Sequence, residues 1–196
     1  MAGVWFTSDL HLGHRFVASL RIGTTREEVD LGAYHEQVIE QWNDCVRPGD
    51  VVWNLGDVTL AGPERVGPVL QRLNGTQHLV AGNHDRVHPM FRDAHKVQRQ
   101  WLDYFASVQA HARRRIDGYS VLLSHFPYRG EGQRHMADRH TQYRLPNKGV
   151  PLIHGHTHDE GQKLSFDAGT PMVHVGWDAW GRPVHLDEVS ELLAIA

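Results

Sequence analysis

The stretch "HLVAGNHDR" at His78–Arg86 places three polar residues, Asn83, His84 and Asp85, just after a short run of strand-forming residues. Gly82 stands directly before them. Three other stretches have a similar form: "SDLHLGH" at Ser8–His14, "NLGDVT" at Asn54–Thr59 and "HGHTHDEG" at His154–Gly161. A glycine has no Cβ, so it permits a sharp turn and a close approach of the backbone to an ion or a phosphate. The four stretches predict metal-binding side chains on tight turns at strand ends.

The strand predictions rest on short runs of mostly apolar residues, which are typical of strands buried on both faces. The runs are Val4–Thr7, Val51–Trp53, His78–Val80, Tyr119–Leu123, Leu152–Ile153, Met172–Val175 and Pro183–Leu186. Helical patterns lie within Tyr34–Val46, Gly62–Gly75 and Lys96–Phe105, and a short helix is expected at Leu186–Ala196. The alternation of strands and helices predicts an α/β fold, with two sheets or one folded sheet and helices outside.

Length and composition fit one globular domain. The 196 residues are 40% hydrophobic and 22% charged, and no linker or repeat divides them, so we expect a single domain over residues 1–196. The lone cysteine, Cys45, excludes an internal disulfide and fits a reducing compartment. The N-terminus does not resemble a signal peptide, and no apolar run approaches the ~20 residues of a membrane helix. We therefore expect a cytoplasmic protein with no membrane partner, and the sequence leaves the oligomeric state open.

Charge is distributed unevenly along the chain. The net charge is -3 with neutral histidines, which gives no general case for nucleic-acid binding. Residues 86–148 nevertheless carry 12 Lys and Arg against 5 Asp and Glu. This basic middle could face an anionic substrate, or it could be a solvated surface.

The polar residues that follow the strands form one candidate site, because the ends of parallel strands converge on one edge of an α/β sheet. The candidates are Asp9, His11, Asp57, Asn83, His84, His125, His156 and His158. Carboxylate, amide and imidazole groups together suit a divalent transition metal such as Mn, Fe, Co, Ni or Zn. There are too many ligands for one ion, but they divide well between two. In two-metal hydrolytic sites the ions lie about 3.5–4 Å apart, a spacing that a carboxylate can bridge.

The ordered set of motifs resembles the calcineurin-like metallophosphoesterase superfamily. The family pattern is D-x-H, G-D, G-N-H-D/E, H and G-H-x-H. It stands here as Asp9-Leu-His11, Gly56-Asp57, Gly82-Asn83-His84-Asp85, His125 and Gly155-His156-Thr-His158, with no motif missing. The resemblance implies a four-layer αββα sandwich and two divalent transition-metal ions, of which we favour manganese. The chain looks most like the small single-domain members of bacteria and phages.

The resemblance also divides the ligands between the two ions. Asp9, His11 and His158 would hold one ion. Asn83, His125 and His156 would hold the other, and Asp57 would bridge the pair.

Further roles follow from the same resemblance. His84 would contact the scissile phosphate, either as a general acid or as a group that stabilises the transition state. Asp85 would orient the ring of His84. Asp178, His174 and His14 are candidates for holding the ligand imidazoles in place.

Residues 126–150 show no clean periodicity and predict a long loop, a feature that is usually functional or mobile in compact domains. Its ends are tied near the ligands His125 and His156. The loop contains groups that can bind phosphate or stack on a base: Arg129, Arg134, Arg139, Arg144, Lys148, His135, His140 and Tyr143. We therefore expect a small phosphoester substrate, with a nucleotide diester such as a 2′,3′-cyclic nucleotide favoured, and Arg129 and Tyr143 as candidate substrate-binding residues.

Three other functions remain open from the sequence. A phosphomonoesterase, including a small serine/threonine protein phosphatase, would use the same metal ligands. A nuclease acting on long DNA or RNA would use the basic middle, and its binding would depend steeply on salt. A non-catalytic scaffold would be expected to have lost metal ligands, and none is lost here.

Overall fold

The computed structural model describes residues 2–132 and 136–194. Within these ranges ten strands form two five-stranded sheets. The strands are β1 Val4–Thr7, β2 Val51–Asn54, β3 Thr76–Val80, β4 Ser107–Gln109, β5 His111–Ile116, β6 Tyr119–Ser124, β7 Leu152–His154, β8 Leu164–Asp167, β9 Thr170–His174 and β10 Val184–His185. The helices are α1 Arg15–Ile22, α2 Leu31–Asn43, α3 Gly67–Leu70, α4 Ala94–Leu102, α5 Trp177–Trp180 and α6 Leu186–Ala194.

The two sheets have similar topologies. The first has the order β10-β1-β2-β3-β4, with β1 to β4 parallel and β10 antiparallel. The second has the order β5-β6-β7-β9-β8, with β6, β7 and β9 parallel between two antiparallel edge strands. Parallel neighbours need crossover connections, which the helices supply in the first sheet. The parallel strands of each sheet therefore end on one edge of that sheet.

Alternation along the strands gives each sheet two apolar faces. In β1, Phe6 belongs to the apolar cluster between the sheets, whereas Trp5 packs with the cluster on the helix side. In β7, Ile153 lies in the cluster between the sheets and Leu152 lies on the far face of the second sheet. Successive side chains of a strand point to opposite faces, so both sheets contribute to the central layer of the core.

The predicted architecture of two packed sheets with helices is confirmed. Against the far face of the second sheet, Tyr128 and Leu145 from the 126–150 loop pack with Leu152 and Met172. The loop thus forms part of the outer layer on that side.

All seven predicted strands are present, within two residues of their predicted ends. The predicted helix Gly62–Gly75 is wrong in its extent, because only the four residues of α3 form an α-helix after a short 3-10 turn at Pro63–Arg65. Pro68 explains this difference, since proline is tolerated in the first turn of a helix but not in its interior. None of the helices in the described ranges has the length and apolar character needed to cross a bilayer.

Candidate metal centre

Every predicted metal ligand lies on a loop that directly follows a strand. The ligands Asp9, His11, Asp57 and Asn83 follow β1, β2 and β3 of the first sheet, and His125, His156 and His158 follow β6 and β7 of the second. Hydrogen bonds join these loops across the two sheets. The backbone N–H of His156 lies 3.0 and 3.2 Å from the two carboxylate oxygens of Asp9, and Nδ1 of His125 lies 2.7 Å from the carbonyl oxygen of Leu55. The strand ends of both sheets therefore meet at one place.

Four of these residues form a compact cluster in which the ligand atoms lie within 4.8 Å of one another: Asp9, His11, Asp57 and His158. The Nε2 atom of His11 lies 3.0 Å from Nε2 of His158 and 3.7 Å from Oδ2 of Asp57. The Nε2 atom of His158 lies 3.6 Å from Oδ1 of Asp9. Ligand bonds of about 2.0–2.2 Å would place neighbouring ligand atoms of one ion about 3.0–3.6 Å apart. The spacing of the cluster fits one divalent ion.

A second group lies on the other side of Asp57. The Nε2 atom of His125 is 3.0 Å from Oδ1 of Asn83 and 3.5 Å from Oδ1 of Asp57. The Nδ1 atom of His125 is 2.7 Å from the carbonyl of Leu55, and because a carbonyl only accepts, this nitrogen carries the hydrogen. A neutral ring then offers a lone pair on Nε2, so three electron-pair donors face one another. This arrangement suits a cation.

The pKa shifts of the residues in the cluster also favour the binding of a cation. Burial and the charge of Asp9 raise the pKa of Asp57 well above its usual value. Burial opposes ionisation of Asp9 as well, but the nearby His158, His125 and His11 hold its pKa below the usual range. A bound divalent ion would allow both carboxylates to be charged. Burial lowers the pKa of His11 and His125, which keeps these rings neutral and able to act as ligands.

Five of the predicted ligands have a backbone conformation in the left-handed region, which residues other than glycine rarely adopt. They are Asp9 with φ 60°, His11 with φ 47°, Asp57 with φ 53°, His156 with φ 72° and His158 with φ 52°. Neighbouring loops hold this geometry: for example, the N–H of His11 donates to the carbonyl of Asp57 at 2.9 Å. Backbone strain of this kind clusters at functional sites.

The glycines before the ligands leave room for neighbouring ligand loops. A Cβ atom at Gly82 would overlap the carboxylate of Asp57, and one at Gly155 would overlap the side chains of Ser8 and Asp9. We predicted that these glycines permit a close approach of the backbone to an ion or a phosphate. The structure shows that the atoms lying close to both glycines belong to a second ligand loop of the protein itself.

His84 lies at the open side of the cluster. Its side chain is 39% exposed, and its Nε2 atom lies 3.8 Å from Oδ2 of Asp57. Its backbone N–H donates to Oδ1 of the same carboxylate at 2.8 Å. Burial, followed by the charge of His125, lowers the pKa of His84 to about 4, so the ring is neutral at neutral pH.

Asp85 has partners that differ from the predicted one. Its carboxylate accepts the backbone N–H groups of Gly82 at 2.8 Å, Asp57 at 2.9 Å and Val58 at 2.9 Å. Both oxygens are engaged in these bonds. These bonds show that Asp85 holds the loop that carries Asp57, and the expected role of orienting the ring of His84 stays a prediction.

Asp178 occupies the position that the sequence suggested for a partner of a ligand imidazole. Its Oδ2 atom accepts the Nδ1–H of His158 at 2.8 Å. Arg21 grips both oxygens of Asp178 at 2.8 Å, and its guanidinium also donates to the carbonyls of Asp9 and Leu10. Arg21 was missed in the sequence because α1 was not predicted and its partner Asp178 is 157 positions away.

The other two suggested partners have different positions. His14 caps α1, where its Nδ1 atom accepts the N–H of Val17 at 3.2 Å. His174 is buried beside His154, with 5.5 Å between the ring centroids. The hydrogen bonds of these two residues do not involve a predicted ligand imidazole.

A cavity of about 340 Å³ opens over the cluster. Its lining includes Phe16, Leu20, Asn83, His84, Arg139 and Glu160. Among the loop residues proposed for substrate binding, Arg139 is the one within the described ranges that reaches this cavity.

The two loop residues that the sequence favoured for substrate binding lie elsewhere. Arg129 lines a separate cavity together with His154 and His174, and the ring of Tyr143 packs against His88 at 5.2 Å between centroids. Neither residue lines the cavity over the predicted metal ligands, and a role for them in substrate binding stays a prediction. Proximity in sequence to the predicted ligands therefore did not decide which side chains of the loop face the cavity. Arg134 and His135 lie outside the described residues.

A two-sheet α/β fold with these ligand loops at its strand ends defines a metallophosphoesterase-type protein. The domain model "Calcineurin-like phosphoesterase superfamily domain" matches residues 4–176, and the chain belongs to this superfamily, which uses divalent metals. The chain is 42% identical over 206 residues to the Gene 66 protein of Mycobacterium phage D29, an alignment that covers 98% of this chain and 96% of that protein.

Similar solved structures have the same fold at low sequence identity. The protein of unknown function AQ665 from Aquifex aeolicus has a TM-score of 0.67 at 21% identity, covering 98% of this chain and 100% of that one. Phosphopantetheinyl hydrolase (PptH) from Mycobacterium tuberculosis has a TM-score of 0.51 at 15% identity, covering 93% and 95% of the two chains. At these identities the likeness concerns the fold alone.

Proposed function

We propose that this protein is a binuclear metal-dependent phosphodiesterase. The observation that carries the proposal is the position of the Asp57 carboxylate between two groups of ligands. Its Oδ2 atom faces His11, and its Oδ1 atom faces His125. Asp9, His11 and His158 would hold one ion, and Asn83, His125 and His156 the other. Manganese is favoured, with Fe, Ni, Co and Zn as alternatives, because the ligands combine carboxylate, amide and imidazole groups.

The bound ions would activate a water molecule as the nucleophile and offset the charge of the phosphate oxygens. The remaining chemistry belongs to the side chains around them. His84 stands at the open side, beside the bridging carboxylate and accessible from the cavity. We assign it the contact with the substrate. The neutral ring can act as a hydrogen-bond donor to the phosphoryl group, whereas the role of proton donor to the leaving oxygen requires the ring to be protonated when the substrate is bound.

The favoured substrate is a small nucleotide-like diester, such as a 2′,3′-cyclic nucleotide. The cavity volume of about 340 Å³ suits a small ligand, since small-molecule sites start at about 300 Å³. Arg139 can grip a phosphate through its planar guanidinium, and Phe16, which is half exposed, offers a ring face on which a base could stack.

The test is a substrate comparison with purified protein loaded with Mn, Ni, Co, Zn or Mg. It uses 2′,3′-cyclic AMP, bis-(p-nitrophenyl) phosphate and p-nitrophenyl phosphate. The proposal expects the highest kcat/KM with the cyclic nucleotide and the lowest with the monoester. A preference for the monoester would identify a phosphomonoesterase, and the absence of turnover with every metal and substrate would refute the proposed enzymatic activity on these classes.

A second measurement distinguishes the proposed phosphodiesterase from a nuclease that acts on long nucleic acids. Binding of a single-stranded oligonucleotide is followed from low to moderate salt, because neutralisation of many phosphates gives a steep salt dependence. The proposal expects weak binding with a shallow slope.

A further inference from the structure

Glu131 is a buried carboxylate in the 126–150 loop, and the residue is only 2% exposed. The motifs do not include it. A buried charge is costly unless it is paired and hydrogen-bonded, so its partners indicate what it does.

Two arginines of the same loop surround this carboxylate. Arg139 donates its backbone N–H to Oε1 at 2.9 Å and its guanidinium to Oε2 at 2.8 and 2.9 Å. The guanidinium of Arg144 donates to Oε1, and its other nitrogens bind the carbonyls of Arg139 and Gly130 at 2.9 and 3.0 Å. Glu131 is therefore the centre of a network that holds the loop together.

The third partner of Glu131 is outside the loop. Its Oε2 atom lies 3.2 Å from Nε2 of His156, the first histidine of the G-H-x-H motif. A carboxylate that is gripped by two guanidinium groups only accepts hydrogen bonds, so Nε2 of His156 carries the hydrogen. In a neutral ring, Nδ1 is then the nitrogen with the lone pair.

The other ligand histidines of the second sheet have comparable partners on the opposite ring nitrogen. His158 donates from Nδ1 to Asp178, and His125 donates from Nδ1 to the carbonyl of Leu55. These two rings keep Nε2 for a metal ion. Metal-binding histidines commonly donate their second N–H to such an oxygen, which fixes the tautomer and the orientation of the ring.

We propose that Glu131 is a positioning residue that holds His156 as an Nδ1 ligand of the ion shared with Asn83 and His125. The proposal rests on the metal centre of the proposed function but not on its substrate. Because the same carboxylate anchors Arg139, which lines the cavity, metal binding at His156 and the order of the loop are coupled through one side chain. By reciprocity, an ion that favours this arrangement also stabilises the loop.

The experiment is a metal titration of purified, metal-depleted protein with zinc, followed by calorimetry and by mass spectrometry of the bound metal. Glu131→Gln keeps the size of the side chain but removes its charge. We expect two ions per wild-type chain, with the affinity for one of them about 10–100-fold lower in Glu131→Gln and the other unchanged, as is usual when the partner of a ligand histidine is lost.

Asp138→Asn is the matched control. Asp138 belongs to the same loop and is also close to Arg144, but its Oδ1 atom accepts the N–H of Gly130 at 2.8 Å, and this hydrogen bond involves neither Glu131 nor His156. It should leave both affinities within about twofold of wild type, far below the loss typical of a ligand partner. An equal loss in both variants would show that general disorder of the loop, and not the contact with His156, weakens the metal, and would overturn the proposal.

A measurement on the wild-type protein does not depend on whether the variant folds. Long-range ¹H–¹⁵N NMR spectra of the zinc-loaded protein report which nitrogen of each histidine is protonated. His156 should carry its hydrogen on Nε2, whereas His125 and His158 should carry it on Nδ1. A metal-bound Nε2 in His156 would refute the role of Glu131 while leaving the metal centre intact. A wild-type protein that takes up fewer than two ions would instead refute the binuclear centre, and the Glu131 proposal with it.

Discussion

The carboxylate of Asp57 accepts the backbone N–H of His84 at 2.8 Å through Oδ1. The proposed bridging ligand and the proposed substrate-binding histidine are thus joined directly, although they belong to loops that follow different strands. The position of His84 is therefore set by its backbone, while its ring remains free to meet a substrate.

Asp57→Asn should weaken the binding of both metal ions. The amide oxygen can still accept the N–H of His84, so we expect the fold to persist, but the charge between the two ligand groups is lost. The loss of affinity at each ion should exceed the roughly 10–100-fold effect of removing an outer partner. Metal content by mass spectrometry measures this loss of binding. Asp44→Asn is the control, because Asp44 is exposed on the surface. Unchanged occupancy of both ions would remove the bridging assignment.

His84→Ala should leave both ions bound and reduce turnover by about 10²–10⁴-fold, the range typical of a general acid or base. Under the proton-donor role, the loss should be greater for a nucleoside leaving group than for nitrophenolate, because a poor leaving group depends more on protonation. Equal losses would assign His84 to stabilisation of the phosphoryl group. Loss of metal would mean that His84 is itself a ligand.

Asp85→Asn distinguishes holding the loop from orienting His84. An amide presents an N–H group where Asp85 now accepts from Gly82, Asp57 and Val58, so the loop that carries Asp57 should lose stability. We expect the free energy of unfolding to fall by about 1–3 kcal/mol, as when buried donors are left without a hydrogen-bond partner. Metal affinity should fall as well, unlike in His84→Ala. If Asp85→Asn instead reduces turnover while stability and metal content stay at wild-type values, the result would support the predicted role of Asp85 in orienting the ring of His84.

Phe16→Ala tests the proposed stacking of a base over the cavity. Stacking on an aromatic side chain is worth about 1–3 kcal/mol per base, so KM for the cyclic nucleotide should rise by roughly 5–150-fold. The KM for a small aryl phosphate diester should change much less. Phe166→Ala is the control, because Phe166 is similarly exposed but lines a different cavity. Similar small effects of both variants on the nucleotide would exclude Phe16 as a stacking platform.

Asp50 gives a prediction about pH and stability that is independent of metal. Its carboxylate accepts the N–H groups of Gly3 at 2.7 Å and Arg47 at 2.9 Å, and the indole N–H of Trp5 at 2.9 Å. The N–H of Arg47 is the main cause of a lowered pKa for Asp50. A lowered folded-state pKa means that the stabilisation is present above the unfolded pKa of about 3.9 and is lost as the pH falls through the folded value.

Asp50→Asn should therefore lower the free energy of unfolding by about 2 kcal/mol at pH 7. The difference from wild type should shrink as the pH falls below about 4, where the wild-type carboxylate is increasingly protonated. Urea unfolding of both proteins at pH 7 and at a pH below about 4 measures this difference in free energy. A difference that is the same at both pH values would show that the geometry of the hydrogen bonds, and not the charge of Asp50, is responsible.

The candidate metal ligands could be found in the sequence because each motif is local: a strand, a turn and one to three polar residues. Glu131 and Arg21 could not, because their partners His156 and Asp178 lie 25 and 157 positions away in the sequence. Neither residue belongs to a periodic or motif-like pattern. The helix α1 was missed for a related reason. Its apolar residues Phe16, Leu20 and Ile22 are substantially exposed, so they do not form the buried stripe by which helices are recognised.

The missed strands show a similar limit. The strand β5, with the sequence HARRRI, lies at the edge of the second sheet, and three of its six side chains are arginines. Edge strands often carry such charges, which discourage pairing with another chain. The signal that identified the central strands, a short apolar run, is therefore weakest at the edges.

The left-handed backbone at five ligand positions has a consequence for how the sequence can change. Each such residue other than glycine costs roughly 1–2 kcal/mol, so the group together costs on the order of 5 kcal/mol or more. That is comparable to the net stability of an ordinary domain, about 5–15 kcal/mol. Selection for thermal stability alone would favour glycine at these positions. The aspartates and histidines found there lower stability, and their proposed role in metal binding accounts for their presence. Engineering a more stable form of this protein should therefore leave them unchanged and alter other positions.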